Sequence, residues 1–141
     1  MRKIISLFAV VIIVFSCSPK WAPDHYWAAK RWVLMEMKGV PVQLSGGGRD
    51  ASIEFTWADK RFTGNGGCNR LSGTYELKRK KDIQFRDITS TKMSCADIAF
   101  ENTFITTLRD VDGYEEEDGK LLLKDNKKTV LVLQAREAAS R

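Results

Sequence analysis

Ala51-Ser52-Ile53-Glu54-Phe55-Thr56-Trp57 alternates apolar and polar side chains at every step, with Ile53, Phe55 and Trp57 on one face and Ser52, Glu54 and Thr56 on the other. Successive side chains of an extended strand point to opposite faces, so a period of two marks a strand buried on one side. Outward toward the C-terminus, Ala58-Asp59-Lys60 reads as a tight turn into Arg61-Phe62-Thr63. Gly64-Asn65-Gly66-Gly67 then predicts an irregular connection. Residues 71–77 form the next strand, with Gly73 at a bulge or a close approach of backbones. The run Lys78-Arg79-Lys80-Lys81 turns the chain into Ile83-Gln84-Phe85, which alternates again. In the other direction, Gly46-Gly47-Gly48 cannot support an element interior and marks a loop. Before it, Trp32-Val33-Leu34-Met35-Glu36-Met37 is strand-like, is broken by Gly39 and Pro41, and resumes as a short extended piece over residues 42–44.

The period changes after Asp97. Phe100, Phe104, Ile105, Leu108 and Val111 fall at helical spacing, which predicts one α-helix over about residues 96–110. Ser94 is the expected N-cap, Asp97 suits the positive end of the helix dipole, and Gly113 ends the segment. Tyr114 opens an acidic strand, Asp118-Gly119 is a hairpin signal, and residues 121–123 and 129–133 are two closing strands around Asn126. The fold class is therefore mainly β (α+β): a small antiparallel β-barrel with one inserted helix. A barrel removes exposed strand edges, and for that reason it is preferred over an open sheet with the helix on one face.

The N-terminus has a different character. Arg2 and Lys3 precede an apolar run over residues 4–15 whose one polar residue is Ser6, followed by Ser16 and Cys17. Twelve residues at about 1.5 Å each span about 18 Å, too little for a hydrocarbon core about 30 Å thick. The segment is instead a secretory signal over residues 1–16. Cys17 after Val14-Phe15-Ser16 resembles the lipobox of bacterial lipoproteins, although Phe15 is bulky for its position. The resemblance implies lipidation at Cys17 and a lipid-anchored tether over residues 17–31. Two or more acyl chains hold a protein stably at a membrane where one would not. Trp21, Tyr26 and Trp27 in the tether suit either the headgroup region or the outer wall of the domain. Ser18 follows Cys17 where some lipoproteins carry the aspartate that retains them at the inner membrane, so the expected address is the outer membrane, facing the periplasm.

Removal of residues 1–16 from the 141-residue chain leaves 125, one domain's worth, expected over residues 32–136. The formal charge of +5 falls to +3 as Arg2 and Lys3 leave. The basic run at 78–81 is offset by Glu115-Glu116-Glu117-Asp118 and reads as a solvated turn, so no nucleic acid is expected as a partner. With Cys17 assigned to lipid, Cys68 and Cys95 remain as an even pair in an oxidising compartment. They form either a disulfide or two buried free thiols. No metal site is expected, because no CxxC pair occurs and the single histidine, His25, lies in the tether.

Two segments fall outside these periodicities: Gly66-Gly67-Cys68-Asn69-Arg70-Leu71-Ser72-Gly73-Thr74-Tyr75 and Thr89-Ser90-Thr91-Lys92-Met93-Ser94-Cys95. With Trp32-x-Leu34, Glu101-x-x-Phe104-x-x-x-Leu108, Tyr114 and Leu121-x-Leu123, they resemble the META domain of the HslJ-like bacterial proteins over about residues 32–133. The resemblance implies a small barrel and a cell-envelope role in heat-shock or other stress responses, drug tolerance or secretion. It brings no catalytic residue and no cofactor. The matching positions are Gly67, Cys68, Asn69, Gly73, Tyr75, Thr91, Met93, Cys95 and Glu101. Most read as architecture, while Asn69, Arg70, Thr91 and Lys92 also suggest a binding surface on which two cations and two hydrogen-bonding side chains meet an anionic group.

Three functions compete at this level. The first is a monomeric, lipid-anchored envelope protein that binds or stabilises an envelope partner. The second is a barrel carrier of one small apolar ligand. An enzyme ranks last, since GxSxG, HExxH and GxxxxGK[ST] are all missing from the sequence.

Overall fold

The computed structural model describes residues 30–46 and 48–136. The signal, Cys17 and nearly all of the tether lie outside the described residues. Nine strands and one helix follow in the order β1 (Arg31–Met37), β2 (Val40–Pro41), β3 (Ser52–Thr56), β4 (Arg61–Asn65), β5 (Arg70–Leu77), β6 (Ile83–Ser90), α1 (Ile98–Asp110), β7 (Gly113–Glu117), β8 (Lys120–Asp125) and β9 (Lys128–Arg136). All pairings are antiparallel, in the order β6-β5-β4-β3-β1-β9-β8-β7, with β2 folded back on β1. The sheet curls into a half-barrel. Its two outer strands meet where Gly113 bridges Asp82, the Tyr114 N–H donates to Lys81 O (2.8 Å) and the Ile83 N–H donates to Asp112 O (3.3 Å).

The alternation of residues 51–57 has the expected consequence. Ile53 and Phe55 are buried, Glu54 and Thr56 are exposed, and the period fails at the two ends: Ser52 is buried (2% exposed), and Trp57 leaves the sheet at the turn and is 43% exposed. Three other local expectations are corrected. Gly64 and Asn65 extend β4 instead of breaking it, because a Cβ at Gly64 would lie 2.1 Å from Ser52 O and only glycine lets the strands pair so closely. Residues 42–44 are not in a strand, and it is Val40–Pro41 that pairs with β1. The N-cap is Asp97, without a side-chain capping bond, and not Ser94.

Inward side chains fill the barrel. Trp32, Leu34, Ile53, Phe62, Leu121, Leu123, Leu131 and Leu133 have no exposed surface. Phe55 meets Tyr75 edge-on at 5.1 Å, and Phe62 meets Phe85 at 5.2 Å. Opposite Phe62 the sheet needs a glycine, since a Cβ at Gly73 would come within 2.6 Å of the Phe62 ring. From α1, Phe104 and Leu108 reach full burial. Each such side chain contributes about 1.5–3 kcal/mol relative to exposure. The described interior is thus occupied by side chains.

An antiparallel chain reverses at alternate ends, so the connections sort into two groups. The near end holds the entry to β1, the turns β3–β4 (residues 57–60), β5–β6 (78–82) and β7–β8 (118–119), and the end of β9. The far end holds the connection from β1 to β3, the β4–β5 loop (66–69) and residues 91–97 leading to α1. The β8–β9 turn (126–127) lies beside the β6–β7 seam, where the Asn126 N–H donates to Asp112 Oδ2 (3.1 Å).

Candidate functional site

The far end is built around Asn69, which is 1% exposed. The Asn69 amide nitrogen donates to Glu101 Oε1 (2.9 Å) and to Met93 O (3.4 Å). Its amide oxygen accepts from the Met93 N–H (2.7 Å) and the Thr91 hydroxyl (2.9 Å), and its backbone N–H donates to Glu101 Oε2 (2.6 Å). Cys68 and Cys95 are joined by a disulfide, with Cα atoms 6.1 Å apart. One asparagine and one bridge thus tie the β4–β5 loop, residues 91–95 and α1 together.

Glu101, also 1% exposed, sits in the first turn of α1, where the positive end of the helix dipole favours its charge. Both carboxylate oxygens are taken by Asn69, and among the described residues no cation pairs with it. Gly66 makes room for it: a Cβ there would lie 2.6 Å from Glu101 Cγ. Sequence reasoning placed Glu101 in the family pattern but gave it no site role. The signal was present, because Glu101 stands three residues before Phe104 and four before Ile105, on the apolar stripe of the helix. A carboxylate on that stripe must find hydrogen-bond donors inside the fold.

The four residues of the expected binding surface separate. Asn69 is inside, spent on its neighbours. Arg70 and Thr91 line a polar groove of about 1020 Å³ on the outer wall, whose floor carries the hydroxyl groups of Ser52, Thr63, Ser72 and Thr89. Lys92 is exposed and does not line the groove. Arg31, at another rim, is committed to Ser52 Oγ and Gly48 O (3.3 Å each), whereas Arg70 makes no ion pair among the described residues.

A second groove, about 430 Å³, opens at the far end between Met37, Val40, Pro41, Val42, Leu44 and Phe100. Three of the four large apolar side chains exposed in the described structure lie at this end: Val40 (64%), Met93 (57%) and Ile98 (40%). No group of three or more metal-ligating side chains converges among the described residues.

The fold recurs in solved proteins of low sequence identity. An NMR structure of a protein is 24% identical, with a TM-score of 0.59 over 76% of this chain and 89% of that one. An NMR structure of a protein from Burkholderia xenovorans is 20% identical, with a TM-score of 0.60 over 77% of this chain and 83% of that one. A DUF4847 family protein from Bacteroides vulgatus is 19% identical, with a TM-score of 0.56 over 82% of this chain and 97% of that one. At these identities the likeness concerns the fold alone. No curated protein matches the sequence. The META domain pattern matches residues 27–138, which takes in every strand, the Asn69–Glu101 pair and the bridged cysteines, and the chain belongs to the META domain family.

Proposed function

We propose that this protein is a lipid-anchored, non-enzymatic binding module of the bacterial cell envelope, held by Cys17 and presenting its far end to an envelope protein under stress. The observation that carries the reading is the gathering of exposed Val40, Met93 and Ile98 beside a groove whose mainly apolar wall also carries Arg49, Asp50 and Asp97, at the end opposite the entry of the chain into β1. Apolar surface exposed together is more often a contact site than singly scattered residues are. The family-specific polar residues support binding over catalysis, because Asn69 and Glu101 are consumed by each other and by Met93 and Thr91. The occupied interior argues against an apolar cargo inside the barrel.

The test is capture from cells after mild cross-linking. The wild-type chain is expected to retain a defined envelope protein that the double variant Val40→Asp, Met93→Asp loses while staying folded. Recovery of the chain alone, with no effect of its deletion under heat or antibiotic stress, contradicts the reading. The anchor is checked separately, since the mature protein should give an N-terminal peptide that begins at an acylated Cys17.

A further inference from the structure

The near end differs in chemistry from the far end. Its β3–β4 turn carries Lys60 and is followed by Arg61, and its β5–β6 turn carries Lys78, Arg79 and Lys80. Arg61, Lys78, Arg79 and Lys80 are all exposed, and none enters an ion pair among the described residues. Lys81, by contrast, is paired with Glu115 at 3.1 Å. The two turns lie on neighbouring hairpins because β4 pairs directly with β5. Trp57 projects from the first of them at 43% exposure, with the Lys60 ammonium over its ring. Asp59 and Asp82 are the carboxylates of these two turns, and the acidic turn at Glu117 and Asp118 belongs to the other side of the β6–β7 seam. The sector from β3 to β6 is therefore basic, with one amphipathic indole at its edge.

That combination fits a bilayer surface. Clustered Lys and Arg are drawn to anionic headgroups within a Debye length, and indole rings settle at headgroup level. The position in the fold agrees, since Lys30, the first described residue, enters β1 at this same end. We propose that the basic sector formed by the β3–β4 and β5–β6 turns docks on the anionic phospholipid headgroups of the membrane that holds the anchor. The proposal rests on the anchored reading above and adds an orientation to it. Acyl chains fix the distance from the membrane, and docking of this sector turns the apolar far end away from the bilayer.

Hydrogen exchange on the full lipidated chain tests it, in vesicles of phosphatidylcholine with phosphatidylglycerol and in vesicles of phosphatidylcholine alone. Exchange in residues 57–61 and 78–82 should slow several-fold only with phosphatidylglycerol, recover in high salt, and leave residues 91–97 at the far end unchanged. The triple variant Lys78→Glu, Arg79→Glu, Lys80→Glu should lose the protection while still floating with the vesicles. The variant Arg70→Glu, Lys92→Glu, at two exposed residues of the far end, should keep it. Equal exchange on both vesicle types, in a chain that floats with them, overturns the docking and leaves the anchor standing. A chain that floats with neither overturns the anchored reading and the docking with it.

Discussion

Asn69→Ala removes the partner of the buried Glu101 Oε1 and of the half-buried Met93 N–H at once. Each buried group left unsatisfied costs about 1–3 kcal/mol, so the expected loss is about 2–4 kcal/mol, read as a fall in the denaturant midpoint at unchanged slope. Asn69→Asp keeps the shape but sets a second carboxylate against Glu101, and it should destabilise at neutral pH as well. If both variants unfold like the wild type, the pair is not a brace. Tyr75 provides a second residue-scale test. Burial, with Asp59 nearby adding to it, pushes its phenol up to about 12 from the ordinary 10.0. A raised folded-state value for an acid means that the neutral form is favoured in the fold. The stability that follows is present below pH 10 and lost as pH rises from about 10 to about 12. Absorbance titration should therefore show one tyrosine ionising late, together with unfolding, and Tyr75→Phe should abolish that late step. The sequence disclosed the position of Glu101 but not its partner, because Asn69 and Glu101 are 32 residues apart and nothing local to either records the other.

Elements joined by the far-end knot should come apart when the disulfide is removed. It closes a loop of about 28 residues, for which chain entropy gives about 3.5 kcal/mol. Cys68→Ser and Cys95→Ser should each lose roughly this much, and reductant should have the same effect on the wild type and none on the variants. An unchanged stability in reductant would place the brace in Asn69 alone. Phe104→Ala, at the buried centre of α1, should cost about 3–5 kcal/mol by leaving a cavity between helix and sheet. The helix was legible because Phe104, Ile105 and Leu108 repeat at its period, and β3 was legible because Ile53 and Phe55 alternate. The helix start was not. Ser94 has the chemistry of a cap, but the Met93 N–H is held by Asn69 and Cys95 is held by Cys68, so the helix starts only at Ile98. The glycine at 64 read as a break for a similar reason: a close approach between strands and a loop call for the same residue.

The whole molecule has two unlike ends joined by a filled half-barrel. The near end gathers Lys60, Arg61, Lys78, Arg79 and Lys80, and the far end gathers Val40, Met93 and Ile98 around a braced loop. This polarity was invisible in the sequence, where the basic run at 78–81 reads only as a solvated turn. Its side of the molecule follows from counting reversals of the chain, which requires the full strand order. Photo-cross-linking in growing cells distinguishes the two ends, with a reactive residue placed at Val40 in one strain and at Arg79 in another. A lipid-anchored module that binds through its far end predicts protein adducts from Val40 and lipid adducts from Arg79. Lipid adducts from Val40, or protein adducts from Arg79 with none from Val40, would contradict it.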